Sequence, residues 1–437
     1  MSSESIDKII TNEEFLPLVQ KASLEFFKIY NFFLSDSPEF TKKFYSNLMN
    51  EADHFEMFLD DHGARQNKAW TFFAELVASV RNFAIASFQL KHLIDRYPDY
   101  NTGESENEKS EFLAEANKTL DFFNESIKSL FKTADAEAKS LNFVITKDKL
   151  SSEEFKEVAV NKRLPHNADE EIVRDEEERI LELSRKYRKV TKIFREENLG
   201  KKRAVSELLD LIPLKIDEKK AQKIKNMVHS VQSDYDTYVK NTSVEKTNEH
   251  LKKLRGFISL PLHLMEMVRW LSHFYERHED EIRKGEVKGK IASIIDKNLL
   301  LDRIVNFALY YSDRYLQKGN AIAEKILTSY VKNIKYELPV PHPVGFHARP
   351  ATYISLIVNE HGTDVYLVID SQRFNAKSVL SIMEAGGLIA DKGLKSVVFE
   401  GDKRVLDDIK ILSEYNYCEE CDIPRELNYV RILRNIA

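Results

Sequence analysis

The sequence predicts a multidomain chain, with an all-α N-terminal region followed by a smaller α+β domain. Residues 1 to 330 are poor in glycine and rich in Lys, Glu, Leu and Phe, and their apolar residues recur every three or four positions. Glycine and proline crowd the chain beyond that point, at Gly345, Gly362, Gly386, Gly387, Gly393 and Gly401 beside Pro339, Pro341, Pro343 and Pro350. This change in composition predicts a domain boundary near residues 331 to 335.

The composition limits the class of protein. A chain of 437 residues with 43% hydrophobic residues is long enough for two or three folded domains. Its net charge of −6 gives no basic footprint of the kind that nucleic-acid binding needs. No apolar run approaches the length of a membrane span, and the first residues lack the basic and apolar parts of a signal peptide. We therefore expect a cytoplasmic protein with no nucleic-acid partner and no membrane span.

Two helical regions are expected before the boundary, a helical bundle over residues 1–145 and a second helical region over residues 168–330. The apolar pattern loosens between them. In the second region, five apolar residues fall on one stripe of an amphipathic helix: Ile180, Leu183, Tyr187, Val190 and Phe194.

Two polar groups in the helical part are alternative sites. Glu51 and His54 have the E-x-x-H spacing of di-metal bundles, but such a bundle needs a second pair of this kind, and the sequence has none. Asp61 and His62 follow two turns later. A second group lies along one helical stripe, at His263, Glu266, Trp270, His273 and Arg277. Helix packing explains this stripe more simply than a pocket does, and we expect no metal site.

The segment Gly345–Ala351 reads Gly-Phe-His-Ala-Arg-Pro-Ala and carries the strongest functional signal. His347 follows a glycine turn and precedes a predicted helix, so it can be the N-cap, with the first backbone N–H groups pointing past its ring. A helix N-terminus attracts an anion and disfavours imidazolium, which keeps the ring neutral and nucleophilic. Arg349 can donate to phosphate oxygens, and Pro350 occupies the first turn, where no N–H is needed. These residues indicate a histidine that carries a phosphoryl group.

A second segment, residues 375–387, reads Asn-Ala-Lys-Ser-Val-Leu-Ser-Ile-Met-Glu-Ala-Gly-Gly. Together the two segments resemble HPr, the histidine-containing phosphocarrier protein of the phosphoenolpyruvate-dependent phosphotransferase system. In that family the active histidine lies in a G-[LIF]-H-[AT]-R-P-A segment. A second element, reading K-S-[hydrophobic], opens a short helix at the separation found here between His347 and Ser378. The resemblance covers about residues 336–417.

The resemblance implies an open-faced β-sandwich, a four-stranded antiparallel sheet with three helices in the order β-α-β-β-α-β-α. We expect an edge strand over Tyr336 to Val340, because Pro339 and Pro341 cannot donate to a neighbouring strand. The next helix is expected from Ala348 to about Asn359, closed by His361 and Gly362, and the last helix from Lys403 to Glu414.

A helix is also expected to begin near Ser378 and to stop at Gly386 and Gly387, with a long loop after it. Ser381 and Glu384 also form a capping box, so a start one turn later is an alternative.

The resemblance also implies roles for individual residues. His347 would accept phosphate on Nδ1 from phosphorylated Enzyme I, or a related phosphodonor, and pass it to a phosphoacceptor protein, with Arg349 and Pro350 completing the site. Such a domain is a carrier and not a complete enzyme, and it needs no cofactor. Ser378 would be the regulatory serine that an HPr kinase phosphorylates, although a serine there is ordinarily just an N-cap. The partner-docking patch would consist of Phe346, Val379, Leu380 and Met383.

Residues 418–437 form an expected C-terminal extension. Cys418 and Cys421 are the only cysteines, which excludes a disulfide framework. Their spacing suits half a zinc site or a redox pair, but no second ligand pair is near and the glutamates between them would raise the thiol pKa values. An incidental pair is the simpler interpretation. For the whole chain we favour a phosphotransfer or regulatory protein, and the alternative is an adaptor that uses the HPr-like fold for docking alone.

Overall fold

The computed structural model describes residues 9–35, 40–156, 176–278 and 286–436. The described residues pack into two compact units. One contains the residues up to 156 together with 190–237 and 241–319, and the other contains 176–189, 238–240 and 320–436. The expected start of the second helical region, near residue 168, lies outside the described residues. The domain boundaries drawn from the sequence stay predictions.

In the described residues before 331, every regular element is a helix and none is a strand, as predicted. Of the helices described there, α5 is the longest, with 35 residues. It begins at a capping box in which the Ser105 hydroxyl accepts from the Glu108 backbone N–H and the Glu108 carboxylate accepts from the Ser105 backbone N–H. The helices are α1 Asn12–Ala22, α2 Leu24–Phe33, α3 Lys42–Asp61, α4 Thr71–Arg96, α5 Glu106–Ser140, α6 Glu176–Glu196, α7 Glu218–Tyr238, α8 Ser243–Thr247, α9 Glu249–His278, α10 Glu286–Ala292, α11 Lys297–Asp302, a π-helix Arg303–Leu309 and α12 Tyr310–Ser329.

The amphipathic stripe predicted in α6 is the buried side of that helix. All five of its apolar residues are at most 4% exposed. Burial of one such side chain contributes about 1.5–3 kcal/mol, so a stripe of this kind fixes which way the helix faces. Of the helices within the described ranges, none combines the length and hydropathy that a membrane span needs.

The α+β domain has the predicted order of elements. They are β1 Asn333–Pro339, α13 Ala348–His361, β2 Val365–Ile369, β3 Gln372–Asn375, α14 Val379–Lys392, β4 Ser396–Asp402, α15 Lys403–Glu414 and α16 Asn428–Ile436. The strands form one antiparallel sheet in the order β1-β4-β2-β3. Strand β1 lies at an edge of the sheet, where the missing N–H of Pro339 does not interrupt the hydrogen bonds between two interior strands.

One face of the sheet packs on the helices around a single core. Along β2 the side chains of Val365, Leu367 and Ile369 are buried while the residues between them are half-buried, which is the period-two pattern of a strand with one covered face. Helix α13 buries Ile354 and Val358 at the spacing of one helical turn. It ends at the left-handed Gly362, where φ is +74°.

Helix α14 is longer than the sequence predicted. The expectation that it stops at Gly386 and Gly387 is wrong, since it continues to Lys392 and ends at the left-handed Gly393. A Cβ on Gly386 would lie 2.6 Å from the backbone oxygen of Phe346, so this glycine allows the helix to approach another backbone segment. The expected long loop after Gly387 is therefore part of the helix. Its start is at Ser378, the N-cap, and not one turn later.

The C-terminal extension is part of the domain core. Leu427 and Val430 are fully buried among the core residues of the α+β domain; Leu427 comes directly before α16, and Val430 belongs to it. Before that helix the chain makes a compact turn at Asn416–Cys418, where all three residues have positive φ values, of 49°, 54° and 58°. Left-handed backbone costs about 1–2 kcal/mol for each non-glycine residue, so other contacts must hold this turn.

Candidate functional site

His347 is the N-cap of α13, as the sequence predicted. Its Nδ1 accepts a long hydrogen bond, 3.5 Å, from the backbone N–H of Arg349. A ring nitrogen that accepts a hydrogen bond carries no proton, so in the neutral ring the proton is on Nε2. The lone pair of Nδ1 is therefore directed at the unpaired N–H groups and the positive end of the helix dipole.

Glu419, from the C-terminal extension, lies on the other side of the imidazole. Its Oε1 is 2.7 Å from Nε2 of His347, and the two side chains are 10% and 33% exposed. The two atoms are close but are not aligned as a hydrogen bond. A carboxylate at this distance favours the proton on Nε2, so it supports the same tautomer as the N-cap contact.

Arg349 contacts the same glutamate. Its Nη1 donates a hydrogen bond of 2.6 Å to the backbone oxygen of Glu419, and its side chain is exposed. This contact uses one of the five N–H donors of the guanidinium. Glu419 thus joins both polar residues of the predicted motif, through its side chain to His347 and through its backbone to Arg349. Pro350 is buried in the first turn of α13.

The left-handed turn that carries Glu419 is fastened to the segment before His347. The Asn416 side chain accepts from the backbone N–H of His342 at 2.9 Å and donates to its backbone oxygen at 2.6 Å. The hydroxyl of Tyr417 donates to the backbone oxygen of Pro339 at 2.9 Å. These three hydrogen bonds and the burial of the Tyr417 ring offset the strain of the turn and fix where Glu419 lies.

Sequence reasoning did not find Glu419 or Asn416. Both lie far from His347 along the chain, and neither belongs to the quoted motifs. The only local signal was the Cys-Glu-Glu-Cys spacing, which was interpreted through its cysteines.

Phe346 does not extend the predicted docking patch. Its side chain is 3% exposed and packs edge-on against Phe399 and Tyr417, with ring centroids 6.1 and 5.4 Å away. An aromatic ring at this position contributes more by burial in the core than at the surface. The prediction that Phe346 belongs to the docking patch is therefore wrong: Phe346 is a core residue next to His347.

The other predicted surface residues lie at the start of α14. Leu380 and Met383 are 77% and 39% exposed, and Val379 is half-buried. Ser378 is exposed, and its hydroxyl accepts from the backbone N–H of Ser381 at 3.3 Å. This is N-cap geometry, so the hydroxyl lies at the positive end of a second helix.

The polar groups in the helical part are engaged within that part. His263 contacts the Gln89 amide at 2.6 Å, and Arg277 donates twice to Glu75. Trp270 donates to Glu266, and His273 contacts Glu218. Within the described ranges, no group of three or more His, Cys, Asp or Glu side chains is arranged to hold a metal ion, around Glu51, His54, Asp61 and His62 or elsewhere.

The fold and the site together define a phosphocarrier-like domain, a four-stranded antiparallel sheet with helices and a histidine N-cap. Comparison with protein families agrees: residues 334–393 match the family described as "PTS HPr component phosphorylation site". The C-terminal domain is therefore HPr-like, and the helical N-terminal region is not part of the match. No curated protein and no solved structure matches the chain.

Proposed function

We propose that the HPr-like domain carries a phosphoryl group on Nδ1 of His347. The group would come from Enzyme I or a related phosphodonor, and it would be relayed to a phosphoacceptor protein or serve as a signal. The observation that carries this proposal is the direction of Nδ1, which accepts from a backbone N–H at the first turn of α13. An unprotonated nitrogen at a helix N-terminus is a nucleophile directed at a place that favours a dianion.

The chemistry needs little beyond this arrangement. Phosphoryl transfer depends mainly on in-line positioning and on stabilising charge at the equatorial oxygens. The N–P bond forms at Nδ1 as the bond to the donor breaks, and Nε2 keeps its proton. The ring then carries positive charge, which the carboxylate of Glu419 at 2.7 Å would stabilise. The backbone N–H of Arg349, now facing the phosphoryl oxygens, would exchange its long bond to Nδ1 for one to an oxygen.

Ser378 and the exposed start of α14 are proposed as the regulated docking face. Leu380 and Met383, with Val379, present apolar surface beside the serine. A phosphate on Ser378 would add about two negative charges at a helix N-terminus next to this surface. An HPr kinase is the enzyme class that would add it, and a partner that docks by apolar contact would then bind more weakly.

The fusion to a large helical region favours regulation over simple transport of phosphate. We propose a cytoplasmic protein in which the helical part acts as an effector, sensor or oligomerisation unit. Its contacts would depend on the state of His347 or Ser378.

The direct test is incubation of the full chain with Enzyme I and labelled phosphoenolpyruvate. The expected product is acid-labile and base-stable, as a phosphohistidine is. His347→Ala should abolish the label. His342→Ala is the matched control, because His342 is an exposed histidine on the same loop, and it should keep the label. Label that survives His347→Ala would contradict the assignment of the residue.

The second candidate function is an adaptor that binds partners without phosphotransfer. It is favoured by the exposed apolar start of α14, which is available whether or not His347 reacts. An unlabelled wild-type chain that still binds a partner through Leu380 would support the adaptor. Loss of binding in Leu380→Asp, with the fold retained, would identify the surface.

A further inference from the structure

The two thiols of the chain lie on either side of the residue that contacts both His347 and Arg349. Cys418 and Cys421 flank Glu419 in the sequence, with the C-x-x-C spacing of a redox pair. Cys418 is buried, whereas Cys421 is exposed. An exposed thiol at this spacing from a buried one has the arrangement of an attacking and a resolving cysteine.

We propose that Cys418 and Cys421 are a thiol-disulfide modification site, and that disulfide formation there releases Glu419 from His347 and Arg349. This inference rests on the proposed function for its effect on phosphotransfer. The formation of the disulfide and its effect on the imidazole do not depend on that function.

The reaction uses a low-molecular-weight disulfide, such as glutathione disulfide, as the oxidant. The exposed Cys421 thiolate attacks one sulfur of the oxidant and forms a mixed disulfide, and one small thiolate leaves. The Cys418 thiolate then attacks the Cys421 sulfur, the protein disulfide forms and the second small thiolate leaves. Two electrons pass from the protein pair to the oxidant, and the two departing thiolates take up the two protons. Cys421 reacts first because it is exposed and Cys418 is buried. Burial, followed by the neighbouring Cys421, also raises the pKa of the Cys418 thiol to about 12.

Disulfide formation changes the hydrogen bonds of the turn. In the reduced chain, Cys418 Sγ contacts the backbone oxygen of Asp422 at 3.7 Å, and Cys421 Sγ contacts that of Tyr415 at 3.6 Å. Joining the two sulfur atoms removes both thiol hydrogen atoms, so both of these hydrogen bonds are lost, and it closes a small ring that contains Glu419. The backbone oxygen that Arg349 binds belongs to this ring. A change in ring geometry is therefore transmitted to both contacts of Glu419.

The turn has little freedom to absorb this change elsewhere. Residues 416–418 already have left-handed backbone, and their position is fixed by the hydrogen bonds of Asn416 and Tyr417 to the segment before His347. Because these contacts hold the turn on its N-terminal side, the adjustment falls on residues 419 to 421.

The test compares the full chain reduced with dithiothreitol and the same chain treated with glutathione disulfide and freed of excess reagent. In the wild type we expect a mass lower by two hydrogen atoms and a rate of phosphoryl uptake from Enzyme I that is about fivefold lower, the effect of about 1 kcal/mol. Dithiothreitol should restore the rate. Cys421→Ser should take up phosphate under both conditions at the rate of the dithiothreitol-treated wild type.

Glu419→Gln separates this mechanism from a general disturbance of the domain. The variant should still form the disulfide, but its rate should fall less on oxidation than that of the wild type, because it has already lost the carboxylate and keeps only the backbone oxygen that Arg349 binds. The inference is overturned if the chain stops at the mixed disulfide or forms none. It is equally overturned if the oxidised wild type takes up phosphate as fast as the dithiothreitol-treated wild type, or if Glu419→Gln slows on oxidation as much as the wild type does.

A readout that needs no phosphotransfer keeps the two proposals apart. The ¹⁵N chemical shifts of the His347 ring report which nitrogen carries the proton, and oxidation should lower the share of the Nε2–H tautomer. If the reduced wild type takes up no phosphate, the proposed function fails, and these shifts alone decide the redox coupling. Unchanged shifts in the disulfide form would reject it.

Discussion

Two adjacent glycines in α14 give the sharpest test of how the domain is packed. A Cβ on Gly386 would lie 2.6 Å from the Phe346 backbone oxygen and 3.1 Å from its Cβ, whereas one on Gly387 would meet nothing within 4 Å. Alanine in place of either glycine gains about 1 kcal/mol of helix propensity. At Gly386 alone, overpacking should cost about 1–3 kcal/mol. The propensity gain cancels between the two variants, so Gly386→Ala should be less stable than Gly387→Ala by that steric amount.

The assay must report on the HPr-like domain in the full chain. Trp70 and Trp270, the only tryptophans, belong to the other unit, so tryptophan fluorescence would follow the wrong part. Hydrogen exchange of peptides from β4, followed by mass spectrometry over a urea series, measures the free energy of opening of the sheet. Equal stability of the two variants, or the reverse order, would show that α14 does not pass as close to Phe346 as described.

Three further changes probe the site and its supports. Glu419→Gln should slow phosphoryl uptake at His347 about fivefold, which corresponds to a loss of about 1 kcal/mol of transition-state stabilisation, while the control variant Glu420→Gln, at an exposed neighbour, should keep the wild-type rate. Initial rates with Enzyme I measure this, and equal rates for the two variants would show that Glu419 is not part of the site. Ser378→Ala should lower the stability of the domain by about 1 kcal/mol through loss of the N-cap, read from the urea midpoint of β4 exchange, and an unchanged midpoint would contradict the cap. Asp402→Ala should lower the stability of the domain by about 2 kcal/mol, because this buried residue caps α15 and forms an ion pair with Arg404 of that helix. A loss smaller than the error of the method would show that the ion pair does not stabilise the domain.

The parts of the domain that the sequence predicted well are those set by neighbouring residues. His347 caps α13 and Gly362 ends it because an N-cap acceptor and a left-handed C-terminal residue act within one turn of the chain. The bounds of α15 are as predicted, since Asp402 begins that helix and its buried residues recur at helical spacing. The same local logic placed the predicted stripe of α6 on its buried side.

The errors arose where distant segments meet. Two consecutive glycines ordinarily end a helix, but Gly386 is needed for the close approach of α14 to Phe346, which no local pattern reveals. Phe346 was placed on the surface by analogy of position, and its burial depends on Phe399 and Tyr417. Glu419 reaches His347 only because a left-handed turn, fastened by Asn416, redirects the chain.

Nδ1 of His347 is the proposed nucleophile. A ³¹P–¹⁵N correlation spectrum of the ¹⁵N-labelled full chain, recorded after reaction with Enzyme I and phosphoenolpyruvate, identifies the nitrogen that bears phosphorus. We expect one phosphorus-bearing nitrogen, Nδ1 of His347, with the proton kept on Nε2. Phosphorus on Nε2, on another residue, or on no residue at all would contradict it.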